Sequence, residues 1–148
     1  MATTIWDEGA RNALLTRVWA LTPEHTAKWG TFSVGGMLAH LNDATRMATG
    51  ELAVNAKAPS FFQWAPVRYL LIHTLPMPKG APTAPELLAR TSTAELASEQ
   101  QSFATLIDGL TRREALVPAH PAFGTMTRED WGVLMHKHID HHLRQFGA

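Results

Sequence analysis

The chain has 148 residues, 45% of them hydrophobic, with 13 Lys plus Arg balanced by 13 Asp plus Glu. Zero formal charge removes the electrostatic case for nucleic acid or an anionic membrane surface, and the composition is that of one folded domain, 1–148, rather than a disordered tail. There is no cysteine, which excludes disulfides, thiolate metal sites and a cysteine nucleophile.

The first residues, MATTIWDEGARNALL, lack the basic start and apolar run of a secretory signal. Apolar stretches such as Tyr69 to Ile72 are far too short to span a bilayer, so a soluble cytoplasmic protein is expected. Asp7 to Leu21 reads as the first helix, with Leu14, Leu15, Val18 and Leu21 at helical spacing and Thr22-Pro23 ending it. Ser33 is a good N-cap and Gly50 a good C-cap for a second helix, VGGMLAHLNDATRMAT. Residues 51–59 read as a loop. The aromatic-rich stretch Ser60 to Leu75 predicts a third helix with a start or kink near Pro66. Four prolines between Pro76 and Pro85 demand an irregular connection, with a short turn over Glu86 to Arg90. Ser92 with Glu95 fits a capping box opening a fourth helix over Ala94 to Leu110, and Thr127 with Asp130 opens the last helix in the same way. Nothing predicts a strand. The expected fold is all-α: a four-helix bundle with one short extra helix.

Four of the eight histidines fall between His136 and His142. Each helical residue advances about 100°, so His138 and His142 share a face with Trp131, Leu134, Met135 and Gln145. His136 points the opposite way, toward solvent or a partner chain, and His141 lies at the flank. In the second helix His40 sits among Gly36, Met37, Ala44, Met47 and Ala48, an inward position with room beside it. Imidazoles on core-facing stripes are costly to bury unless something satisfies them. Neutral imidazole is the commonest metal ligand, and three protein ligands leave an open coordination position, which is the catalytic pattern rather than the closed structural one. His40, His138 and His142 are therefore the expected ligands of a divalent ion, with zinc or nickel the first candidates. Asp43, Asp140 and Gln145 are nearby in sequence as second-layer acceptors, but only Gln145 lies on the ligand face. Against this stands the plain alternative for His40, a core histidine bonded to backbone. His141 competes with His142, because it too neighbours His138 on the helix.

Other residues carry less. His138 is followed by Ile139, not glutamate, so the zinc-protease pattern is missing, and no Gly-x-Ser-x-Gly supports serine hydrolysis. His120, in VPAHPAFG, reads as loop packing, with the mouth of a pocket as the alternative, and His25 and His73 carry no motif. The five tryptophans read mostly as core or pocket wall, with Trp131 placed near the site.

GMLAHLNDA in the second helix and HIDHHLRQFG at the end, together with HPAFGTMTREDWG, resemble the DinB/YfiT-like metalloenzyme family, nearest to its DinB-like domain-of-unknown-function group ending HxDHHLRQFG. The resemblance implies a helical bundle with a three-histidine site, and motif by motif it selects His40, His138 and His142, with Gln145 as the following glutamine. It further implies a thiol-dependent S-transferase using a low-molecular-weight thiol such as bacillithiol or mycothiol, acting on a small-molecule substrate, and a homodimer. Metal-dependent hydrolysis is the second enzymatic expectation. A non-catalytic helical domain that binds a metal or small ligand is the expectation from another class.

Overall fold

Asp7 opens the first helix by accepting the Ala10 amide at 2.7 Å, and α1 (Glu8–Trp19) stops short of Thr22-Pro23. This computed structural model describes residues 2–55 and 60–148. Helix α2 (Val34–Thr49) is capped as its sequence predicts. Ser33 accepts the Gly36 amide, and Gly50 takes φ +86° to end the helix. It is the most enclosed element: only Ala44, Arg46 and Thr49 escape full burial.

The space beside Gly35 and Gly36 is filled by backbone. A methyl group on Gly35 would lie 2.7 Å from the Ala94 carbonyl oxygen, and one on Gly36 would lie 2.5 Å from that of Thr91. The chain before α4 thus runs directly across α2. That crossing explains why the Ser92–Glu95 capping box does not form. Helix α4 (Leu96–Thr111) begins later, with Glu95 at its N-cap and no side-chain bond there.

The stretch expected as one helix over Ser60 to Leu75 is three pieces. A 3-10 turn (Ser60–Gln63) is followed by α3 (Ala65–Tyr69) and then a π turn (Leu70–Thr74). Pro66 has no N–H to continue the first turn, so the chain breaks at Trp64 and restarts with proline in the first turn of α3. The Lys137 ammonium donates to the carbonyls of Leu71 and Leu75 at 2.9 and 2.7 Å, tying the far end to α5. Only Ile72 of these elements is buried, while Phe61, Trp64, Tyr69 and Leu70 are exposed. Three of the five tryptophans are core or pocket wall, as expected: Trp131 is buried, Trp6 packs against the core and Trp29 lines a cleft, while Trp19 and Trp64 are 50% and 66% exposed. The loop expected over 51–59 is described only to Asn55, and residues 56–59 lie outside the described residues.

A short 3-10 turn (Pro85–Leu87) stands where a turn over Glu86 to Arg90 is predicted. Between α4 and the last helix, β1 (Ala119–His120) pairs antiparallel with β2 (Gly124–Thr125), a ribbon that no alternation in the sequence announces. Gly124 supplies the positive φ, +71°, at the end of its turn. Helix α5 (Arg128–Gln145) begins with the reciprocal Thr127–Asp130 capping box, both bonds at 3.0 Å. The described residues are thus mostly helical with a small two-stranded sheet. The helices α1, α2, α4 and α5 share one apolar core built on Leu14, Val18, Leu38, Phe103, Ile107 and Leu143. No helix of the described residues is long and apolar enough to cross a membrane.

Candidate metal centre

Helices α2 and α5 face each other, and their contact line carries the three histidines. The rings of His40, His138 and His142 form a nearly regular triangle, with centroids 4.9, 4.8 and 4.8 Å apart and each pair edge-on, at 72–86°. One ring nitrogen from each lies within 4.8 Å of the other two. His40 is 3% exposed and His142 9%, and Phe32 lies over both, with ring centroids at 5.3 and 5.8 Å. His141 is not in the group. Its ring leans on Trp29 at 5.4 Å and borders a surface cleft, so of the two rivals it is His142 that meets His40 and His138.

Hydrogen bonds on the outer edges of the rings fix which nitrogen faces inward. The Leu87 carbonyl can only accept, so His40 donates from Nδ1 at 3.1 Å and keeps a lone pair on Nε2. The Gln145 amide donates from Nε2 to the Trp29 carbonyl at 2.7 Å. That bond turns Oε1 toward His142, whose Nδ1–H donates to it at 2.7 Å. His142 therefore also presents an unprotonated Nε2. His40 Nε2 lies 2.9 Å from His138 Nε2. Two lone pairs do not approach so closely unaided, so in the metal-free state His138 carries the proton between them. That proton is what a bound cation would replace.

Burial keeps the cluster neutral. Desolvation lowers the pKa of His40 below its ordinary value, only partly offset by the Leu87 carbonyl and by Asp43. His142 is pushed down to about 4 by burial despite the Gln145 bond. His138 is lowered furthest in kind, first by burial and then by the neighbouring imidazoles. Neutral imidazole is the form that ligates metals.

The donor set fits a divalent late first-row ion. Two nitrogens each ~2.1 Å from a tetrahedral ion sit ~3.4 Å apart, between the 2.9 Å contact and the 4.8 Å limit seen here. Small ring rotations suffice. A cavity of about 10 Å³ against His138, walled by Leu41, Ala44, Thr45, Met135 and Ile139, is the size of one water.

The remaining candidates have structural partners. Asp43 accepts from Arg46 and Arg90, and Asp140 from Arg17 and Arg144, so neither carboxylate bonds a ligand ring. The support for His40 is instead a backbone carbonyl from the proline-rich connection, which no side-chain motif signals. Arg90 holds that connection in place, bound to Asp43 at 3.0 Å and to Glu99 at 2.7 Å, and Asn42 donates to Glu99 at 2.7 Å. His120 is in β1 rather than in a loop and is packed there: Nδ1 accepts the amides of Ala122 and Phe123, the ring lies 5.5 Å from Trp131, and burial lowers its pKa to about 4. Trp131 donates to the Val117 carbonyl rather than meeting the three histidines. His136 is half-buried rather than facing solvent, beside Asp140 and Arg17. His25 accepts the Thr22 amide. His73 has a role its lack of motif hides, pairing with Asp130 at 2.7 Å and stacking on Tyr69.

A family model described as "Protein of unknown function (DUF1569)" matches residues 8–148. This corrects the DinB/YfiT resemblance. The matching family is a different one, and the thiol-transfer expectation, which rested on that resemblance alone, loses its support. No curated protein and no solved structure matches the chain. The chain belongs to the DUF1569 family.

Proposed function

We propose that this member of the DUF1569 family is a divalent-metal-dependent enzyme whose ion is held by His40, His138 and His142. The observation that supports this most directly is the orientation of the rings. His40 and His142 spend their outer nitrogens as donors, to the Leu87 carbonyl and the Gln145 amide oxygen, so that their inner lone pairs converge on His138. A cluster needed only for packing has no reason to aim two buried lone pairs at a third imidazole. When bound, a divalent ion there supplies Lewis acidity, able to polarise a carbonyl or phosphoryl oxygen or to make water nucleophilic near neutral pH. Three protein ligands suit that chemistry because they leave a position open, and hydrolysis of a small-molecule substrate is the reaction class it favours.

The chain's own part is positional. Gln145 and Leu87 orient the rings, Phe32 shields them, and burial holds all three imidazoles in the neutral form that binds metal. A low-molecular-weight thiol is not part of the proposal. A second reading, a non-catalytic metal site, is favoured by one observation: the cavity against His138 admits a water and nothing larger.

Elemental analysis of untagged protein tests the proposal. About one zinc or nickel ion per chain is expected in wild type, and its loss in both His40→Ala and His142→Ala. If wild type and His40→Ala carry the same sub-stoichiometric metal, the site is not a metal centre. If metal is stoichiometric, a screen with phosphoester and carboxyl ester or amide substrates separates the two readings, because a non-catalytic site turns over none of them.

A further inference from the structure

Beside the three histidines, on the adjoining stripe of α5, lies a cleft of about 250 Å³. That is slightly below ordinary small-molecule sites, which run from ~300 to 1,000 Å³, so it suits a ligand of one ring or a short chain. Pro76 and Met77 form an apolar wall. Three cations enter it, Lys79, Lys137 and Arg144, and one carboxylate, Asp140. Asp140 is already committed on both oxygens, to Arg17 at 2.7 Å and to Arg144 at 3.0 Å. Lys79 and Lys137 have no ion-pair partner among the described residues. Lys79 rests over the Trp29 ring, 4.4 Å from its centroid, at the rim. Lys137 spends two of its three N–H donors on the carbonyls of Leu71 and Leu75, which pins the ammonium at the cleft and leaves one donor over. His141 completes the lining as a further N–H donor.

We infer that this cleft is a binding site for a small organic anion, a phosphate or carboxylate carried on a short apolar body. Two positioned ammonium groups without counter-charge and one arginine supply charge-assisted hydrogen bonds to such a group, while the apolar wall takes the remainder. The site stands independently of whether the three histidines hold a metal. It also touches them: Trp29, which forms its rim, is the residue whose carbonyl orients Gln145 and through it His142.

Calorimetric titration with phenyl phosphate, benzoate and neutral benzyl alcohol tests this, using wild type, Lys79→Ala/Arg144→Ala and His40→Ala. The double variant leaves Lys137 and Asp140 as the charged lining, a cleft without net positive charge. Both replaced side chains are exposed, and single Lys79→Ala serves as a milder variant should the double one not fold. Expected is binding of one or both anions but not the alcohol, weakened at least tenfold in the double variant and severalfold in Lys79→Ala. His40→Ala should bind as wild type does, and affinity should fall as salt rises. Which anion binds more tightly distinguishes phosphate from carboxylate. Three results overturn the inference: neither anion binds wild type at millimolar concentration; the cleft variants bind as well as wild type; or binding disappears in His40→Ala, which would place the anion on the metal instead.

Discussion

Replacing Gln145 by leucine isolates the support of one ligand from the ligand itself. Gln145 is 3% exposed and makes two bonds of 2.7 Å, one to the Trp29 carbonyl and one from His142 Nδ1. Leucine fills similar volume but leaves an orphaned carbonyl and an orphaned ring N–H, each costing ~1–3 kcal/mol in a buried setting. Urea unfolding of metal-free protein should therefore show a loss of ~2–5 kcal/mol. Zinc affinity, measured by chelator competition, should fall ~10–100-fold because His142 is no longer held with Nε2 inward. Gln145→Glu separates the effects. Its carboxylate still accepts from His142 but faces the Trp29 carbonyl with an oxygen, so stability drops while zinc affinity stays within a few-fold of wild type. If Gln145→Leu loses stability but binds zinc like wild type, the amide is only a structural plug and the relay argument is wrong.

Two further outcomes follow from the same physics. His120 and His142 are each held at about 4 against an ordinary 6.5, so the folded state keeps them neutral while the unfolded state takes up protons. Their contribution is fully present above pH 6.5 and is lost as pH falls from there toward 4, amounting to ~2 kcal/mol per group by about pH 5. Unfolding of metal-free His120→Gln at pH 7.5 and pH 5 should show a decline smaller than that of wild type by ~2 kcal/mol, the other lowered histidines, His138 foremost, keeping their share; an unchanged decline would sink the assignment. Arg90→Met takes the Arg90 guanidinium from Glu99 and from Asp43, both 5% exposed, although Asp43 keeps Arg46; because the Arg90 side chain is itself 41% exposed, the expected loss is discounted to ~1–2 kcal/mol in urea unfolding. A change below ~0.5 kcal/mol would mean that water replaces the guanidinium at no cost.

The helix ends that a sequence announces are those closed by local bonds. Asp7, Ser33, Gly50 and the Thr127–Asp130 pair all act within four residues, and all stand where the sequence puts them. Ser92 fails for a reason that lies 56 positions away, where Gly36 lets the Thr91 carbonyl cross α2, and no local signal carries that contact. The stretch from Ser60 misleads in another way. Its aromatic content suggests burial, yet its faces are set by what α5 leaves uncovered, and only Ile72 turns inward. The β1–β2 ribbon is two residues per strand, too short for alternation to appear.

Helical periodicity places His138 and His142 on one face and His40 on an inward one, but it leaves His40 as a backbone-bonded core histidine and His141 as a rival, and it is the family resemblance that singles out the set of three. The structure brings those three together although the resemblance points to a different family. Two imidazoles a turn apart on one helix, a third on a facing helix and an acceptor that fixes a tautomer are a simple way for a bundle to hold an ion. His138, His142, His40 and Gln145 meet that description, so a short motif built from them does not by itself fix the family. What the motif leaves out is the support specific to this chain. His40 is oriented by the Leu87 carbonyl, and the segment bearing Leu87 is held by Arg90 on Asp43 and Glu99. A backbone acceptor has no residue signature, and only the folded chain brings it 47 positions back to His40.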